Sequence, residues 1–251
     1  MRYIDKRPAS SARDLLEAQR LQLRTVGQTE WYANLGNDPQ TGKSVKEFVN
    51  DCLRQEQGNL CCYCEQRITH FQQSKSLGAG GPDTGSHNEH YYPEATFPNK
   101  QLDYDNLFAC CNRSKGLPKS QQHCGEHKAD CVPNDLFRNP KCQSYFRYNA
   151  NGEILPDGSW SDWKSVEKAA VQGQLTPGEQ QAFDLIKLLN LNLFALVSLR
   201  KKVCNIVFAS LQNKSKQQIN RMVQNLNRAS EKVEFISLQI YFCKRLALSA
   251  P

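Results

Sequence analysis

Apolar residues recur every three to four positions in six stretches of the chain and lose that rhythm over a long central one. Ala12, Leu15, Leu16 and Leu23 predict a first helix behind the polar Pro8 to Ser11 stretch. Ser44 with Glu47 three residues on reads as a capping box, and Val45, Phe48, Val49, Cys52 and Leu53 carry a second helix to about Gly58. Thr176-Pro177-Gly178-Glu179 combines an N-cap, a proline at the first helical position and a glutamate at the third, and Ala182, Leu185, Ile186 and Leu189 continue that helix. Asn192 is the predicted cap of a helix bearing Leu196, Val197, Val203, Val207, Phe208 and Leu211. Ser215 with Gln218 opens another through Ile219, Met222, Val223 and Leu226, and Phe235, Leu238, Phe242 and Leu246 predict a last one. Between residues 145 and 156, two short aromatic or apolar runs flank Asn151-Gly152, a hairpin signal. No repeat of solenoid length interrupts this order.

From Asn59 to Asp130 the period disappears, and Cys, His, Gly, Pro and Asn dominate, with a glycine-rich loop at residues 78 to 86. Eight of the eleven cysteines fall between Cys61 and Cys142, beside His87, His90, His123 and His127. An odd total, gathered mostly in one ligand-rich stretch, favours metal binding over a secreted disulfide framework, so cytosolic zinc is the working expectation. At 251 residues the chain can bury a core without staples, and no apolar run approaches the roughly 18 residues of a membrane span. A cytoplasmic protein without a membrane segment is expected.

The net charge of +7 is unevenly spread. Residues 195 to 251 hold 10 basic against 2 acidic residues, whereas residues 61 to 130 hold 7 against 8. A basic stripe on the terminal helices can neutralise phosphates; a solvated helix face is the other reading of the same residues.

Cys61-x-x-Cys64 lets two thiolates from one tight turn grip the same tetrahedral zinc. A redox dithiol is the competing reading, but the strand and helix of a βαβ unit are absent around it. Cys111 and Cys124 are the candidate completing pair, with Cys110, His123 and Cys131 as competitors for those two places. In Asn88-Glu89-His90-Tyr91-Tyr92-Pro93, a neutral imidazole can take a proton from water while the neighbouring carboxylate holds a hard cation. Adjacent strand residues point to opposite faces, so both serve one site only through a turn or a metal reached past the backbone. Tyr91 and Tyr92 are candidates for stacking on bases or for packing against the core. Cys52, Cys204 and Cys243 read as buried small hydrophobes. His70, Phe71 and His87 carry no signal beyond residue type and stay outside the predicted site.

Taken in order, Cys-x-x-Cys, Glu89-His90-x-x-Pro93, Asp103-Tyr104-Asp105-Asn106-Leu107, Cys111-Asn112-x-x-Lys115-Gly116 and Cys124-Gly125-Glu126-His127-Lys128-Ala129-Asp130 resemble the HNH endonuclease motif. The family they resemble is the HNH nuclease subunit of the Septu antiphage system, also found beside retrons. The likeness covers roughly residues 44 to 165. It implies an α+β, mainly helical fold, with a zinc-stabilised ββα-metal core of treble-clef-like type at residues 59 to 165. An N-terminal helical segment, 1 to 58, and a basic helical region, 166 to 251, flank that core.

The resemblance further implies metal-dependent phosphodiester hydrolysis with His90 as general base and Asn106 orienting it. Glu89 becomes a ligand of a catalytic Mg²⁺ or Mn²⁺, and either His127 or Asn112 the third HNH residue, with His127 favoured as metal ligand. Cys61, Cys64, Cys111 and Cys124 hold a structural Zn²⁺, and Lys115 and Lys128 are candidate phosphate contacts. The implied partners are an ABC- or OLD-like ATPase and, in retron settings, a reverse transcriptase with its RNA-linked DNA; DNA and RNA, tRNA included, are both admissible targets. A zinc module that binds nucleic acid or protein without cutting is the alternative, and it has no use for Glu89, His90 and Asn106 together.

Overall fold

In the computed structural model, which describes residues 1–6, 11–27, 32–38, 42–71 and 85–248, α1 (Ser11–Thr25) and α2 (Val45–Glu56) form where the apolar period places them. Ala12, Leu16 and Leu23 are buried on α1, and Val45, Val49 and Leu53 on α2. Ser44 stands at the N-cap of α2, but its side chain makes no capping bond; the helix starts there without the predicted box. The glycine-rich loop lies outside the described residues from 78 to 84, as do residues 8 to 10 ahead of α1.

Two compact units divide the chain: Ile4–Cys62 with Arg67–Val132, and Met1–Tyr3 with Tyr63–Gln66 and Pro133–Pro251. In the first, strands β1 (Ser86–His90) and β2 (Leu107–Cys111) pair antiparallel with His87 opposite Cys110 and Glu89 opposite Phe108. A five-residue helix, α3 (Cys124–Lys128), follows β2 and packs on it. The order is therefore β, β, α, with α2 laid against both strands.

Polar side chains fix these elements. Buried Asn50 of α2 donates to Asn88 Oδ1 at 2.9 Å and accepts from Ser86 Oγ at 2.9 Å, while Asn88 Nδ2 donates to the Lys46 carbonyl at 2.8 Å. A one-residue slip of β1 would break all three bonds, so the register, and with it the face on which each side chain emerges, is specified. Gln57 is fully buried at the end of α2; its Nε2 donates to the carbonyls of Leu60 and Ala109, both at 2.8 Å, and its Oε1 accepts from Ala109 N at 2.8 Å. One amide thereby ties the chain entering the Cys61 turn to β2.

The second unit is mainly helical. Strands β3 (Phe146–Tyr148) and β4 (Ile154–Pro156) form the predicted hairpin, and Gly152 takes φ +89°. A Cβ there would lie 2.4 Å from the Val197 carbonyl oxygen, so the position needs glycine for space as well as for conformation. Helices α4 (Trp163–Val171), α5 (Pro177–Leu188), α6 (Phe194–Leu211), α7 (Lys216–Arg228) and α8 (Ile236–Ala247) follow. The capping boxes of Thr176 with Glu179 and of Ser215 with Gln218 are both closed.

Asn192 does not cap α6. Its amide exchanges hydrogen bonds with the backbone N–H and carbonyl of Ile154 at 2.9 and 2.8 Å, an extra rung on the edge of β4, and Leu193 takes the cap position. Helix α4 has no counterpart among the predicted elements; Asp162 caps it, and its buried positions are Val166 and Ala169 alone. Among the described residues no helix is long and apolar enough to cross a membrane.

Candidate active site

The Cys61 turn opens the site. Cys61, Cys64, Cys111 and Cys124 are buried, and their Sγ atoms all lie within 4.8 Å of one another. Sulfurs bound to one tetrahedral zinc at about 2.3 Å stand about 3.8 Å apart; Cys61 and Cys124 are separated by 3.9 Å. Burial works against a thiolate at Cys61, yet hydrogen bonds from Cys110, Cys111, Cys124 and Cys62 outweigh it and hold the thiol well below its usual range. Four convergent buried sulfurs, Cys61 among them held toward its thiolate, are a donor set able to hold a metal such as zinc.

The competitors for the last two places separate by position. Cys131 is exposed and joins no such group. Cys110 lies 3.9 Å from Cys61, but burial pushes its thiol well up and its Sγ accepts the Gly125 N–H at 3.4 Å. His123 stands beside the sulfurs, Nδ1 3.1 Å from Cys124 Sγ. Burial lowers its pKa, and the hydrogen bond to Cys111 with the neighbouring Cys111 and Cys61 charges more than reverses this, so the ring titrates above its ordinary value.

Strand β1 divides the predicted chemistry between its two faces. His90 points away from Glu89, as alternation requires. Its Nε2–H donates to the Gln101 carbonyl at 2.9 Å, which leaves Nδ1 as the ring nitrogen able to exchange a proton. That Nδ1 faces Glu94 Oε1 at 3.0 Å, a carboxylate 42% exposed, and the Tyr32 ring packs edge-on against the imidazole with centroids 4.6 Å apart. Asn106 staples the loop that follows: Nδ2 donates to the Tyr92 and Lys100 carbonyls at 3.0 Å each, and Oδ1 accepts the Tyr92 N–H at 2.7 Å. Tyr91 is wholly buried, so packing is its role.

On the opposite face Glu89 meets His87, a residue the motif reading passed over. His87 Nε2 lies 3.3 Å from Glu89 Oε2, and His87 Nδ1 lies 2.7 Å from Asn112 Oδ1, the asparagine of Cys-Asn-x-x-Lys. Glu89 has its other oxygen 3.0 Å from Lys128 Nζ. Burial raises the Glu89 carboxyl, but the His87 bond and the Lys128 charge outweigh it, and the pKa falls below the ordinary 4.5.

Other predicted contacts are placed differently. Lys128 is corrected from a phosphate contact to an internal one: it is 2% exposed, and its Nζ is enclosed by Glu89 and the carbonyls of His90, Ala129 and Cys131. Lys115 is half-buried in the turn after Asn112. His127 sits half-buried in α3 and, among the described residues, is in none of the clusters of three or more potential metal ligands. Of the ten basic residues after residue 194, Arg200 is buried and donates to the Gly152 and Leu191 carbonyls and to Asn192 Oδ1, and Lys232 caps the carbonyls that end α7.

No family model matches the chain. Among curated proteins it is similar to the "Retron Vc95 putative HNH endonuclease" of Vibrio cholerae serotype O1 biovar El Tor, 30% identical over 122 residues that cover 46% of this chain and 50% of the relative. The chain thus spans about half the length of the curated relative it matches. That likeness supports a relationship to HNH endonucleases and, at a general level, a nuclease function.

Proposed function

We propose that the protein is a metal-dependent endonuclease of the HNH class that hydrolyses phosphodiester bonds in nucleic acid. The observation that carries the reading is His90: a buried imidazole anchored through Nε2–H to the Gln101 carbonyl, one position after Glu89 on the first strand of the β, β, α order.

When bound, a Mg²⁺ or Mn²⁺ ion supplies charge stabilisation at the phosphate and the leaving oxygen. Glu89 supplies the anionic ligand that such a hard cation prefers. His90 takes the proton of the attacking water at Nδ1 once the exposed Glu94 carboxylate swings aside, and Gln101 keeps Nε2–H in place throughout. Asn106 holds the loop from Tyr91 onward and so the orientation of His90. The four cysteines, filled by Zn²⁺, keep β2 and α3 together and leave no open position for substrate.

DNA and RNA, including tRNA, both offer the phosphodiester on which this chemistry acts. The word retron in the relative's name supports a setting beside a reverse transcriptase and its RNA-linked DNA, and the Septu-like motifs extend the proposal to an antiphage complex controlled by an ABC- or OLD-like ATPase. The test compares wild type and His90→Ala, each zinc-loaded and co-purified with the product of the neighbouring gene, on plasmid DNA and total tRNA with Mg²⁺. Wild type cuts one of the two, and the variant loses at least about 100-fold. Equal cutting by both, or none by zinc-loaded wild type in the complex, overturns the reading.

A further inference from the structure

The geometry points to His87 as a ligand of the catalytic divalent cation, paired with Glu89 on one face of β1 and filling the space that Gly125 leaves open. The inference rests on the nuclease reading above for the presence of that cation. It concerns a residue that the motif reading leaves out.

Three observations converge on it. First, His87 and Glu89 are two apart on a strand whose register three hydrogen bonds to α2 specify, so both side chains emerge on the same face. Their nearest atoms, Nε2 and Oε2, are 3.3 Å apart. Two ligands at about 2.1 Å from one ion stand about 3.0 Å apart at an octahedral edge and about 3.4 Å apart at a tetrahedral one. The observed separation falls between these values.

Second, the far side of the ring is prepared. His87 Nδ1 lies 2.7 Å from Asn112 Oδ1, an oxygen that can accept the Nδ1–H and so leave Nε2 as the nitrogen available to a cation. In the metal-free chain a ring proton joins Nε2 to Glu89 Oε2, and a divalent cation entering between the two takes that proton's place. A ring nitrogen held by an amide oxygen while the other points at a carboxylate is the arrangement in which metal-binding histidines are found. Asn112 then serves the metal through His87.

Third, the helix that follows β2 brings a glycine to this spot. A Cβ on Gly125 would lie 2.5 Å from Glu89 Oε2 and 3.2 Å from His87 Nε2. Any side chain there would displace the pair, so α3 contributes an opening and β1 supplies both ligands. Cys110, the cross-strand partner of His87, is the third group within reach, but a thiol suits softer ions, and its sulfur already accepts the Gly125 N–H.

Direct binding of Mn²⁺ to zinc-loaded protein, followed by the loss of the free-ion paramagnetic resonance signal, tests the inference without reference to cleavage. His87→Ala is expected to weaken Mn²⁺ binding about 10- to 100-fold with the zinc content unchanged, and His127→Ala to leave it within about twofold. Should His87→Ala bind as tightly as wild type while Glu89→Ala weakens, the inference falls and the nuclease reading stands. If wild type binds no Mn²⁺ at millimolar concentration, both fall. Electron spin-echo modulation of the Mn²⁺-loaded wild type needs no variant: coupling to an imidazole nitrogen, shifted by ¹⁵N-histidine labelling, is expected, and its absence overturns the inference even where His87→Ala does not fold.

Discussion

Lys128 turns its ammonium inward onto Glu89: Nζ stands 3.0 Å from Oε1, with the carbonyl oxygens of His90, Ala129 and Cys131 at 3.1, 3.0 and 3.3 Å around it. Removing one partner of a buried pair leaves the other charge uncompensated, at a cost of about 3 to 5 kcal/mol. Lys128→Met is therefore expected to lower the free energy of unfolding by about that amount, read as a fall in the urea midpoint at constant slope. A change under about 0.5 kcal/mol would mean that Glu89 is satisfied without it.

Gly125 touches the same carboxylate from the other side. Gly125→Ala places a methyl group where Glu89 Oε2 now stands, and the carboxylate must move by the order of 1 Å. The expected outcome is a cleavage rate lower by about 100-fold with the zinc content and melting temperature close to wild type. Full activity in the variant would show that the position of Glu89 carries no weight in catalysis.

The cysteine set predicts a second, separable metal dependence. Cys64→Ser and Cys124→Ser each remove one sulfur from the group of four, and zinc content by elemental analysis is expected to fall from about one per chain to near zero, with a broadened thermal transition. Cys131→Ser, which alters an exposed sulfur outside the group, keeps its zinc. Loss of zinc on Cys131→Ser and its retention on Cys64→Ser would reassign the ligands.

Away from the site, Glu179 makes an acid-dependent contribution to the second unit. Burial raises its carboxyl pKa, but hydrogen bonds from Thr176 and from the Trp160 indole outweigh it and hold the folded value below 4.5. A depressed folded pKa gives stability that is present above the unfolded value and lost as pH falls through the folded one. The melting-temperature gap between wild type and Glu179→Gln is thus widest above pH 4.5 and closes on further acidification. A gap that stays constant from pH 7 to pH 3 contradicts the assignment.

What the chain announces in advance is what short-range chemistry decides. Thr176 with Glu179 and Ser215 with Gln218 close their boxes within four residues, and Asn151-Gly152 turns a hairpin whose strands are three residues each. Spacing also pairs Cys61 with Cys64, because a tight turn presents its sulfurs together, whereas Cys111 and Cys124 join them only through the fold. Asn192 shows the limit: its partner Ile154 lies 38 residues away, and nothing local distinguishes a rung on β4 from a helix cap. Lys128 looks like any surface lysine until α3 turns it onto Glu89, since composition alone places lysine outside. His87 has no motif at all; it acquires meaning from Asn112, twenty-five residues on, and from the bare backbone of Gly125.

The Gln57 amide joins the two halves of the cysteine set through the main chain. It holds Leu60 and Ala109 at once, and the Cys111 N–H already rests on Cys61 Sγ at 3.4 Å, so one sulfur from each half of the zinc set is parked beside the other by the main chain. An arriving ion finds a mouth already half closed. Zinc uptake by such a set is expected to be an encounter, first order in free metal, with little refolding to wait for, which stopped-flow mixing of metal-free protein with zinc would check. Gln57→Ala would turn that encounter into a slow event governed by the chain.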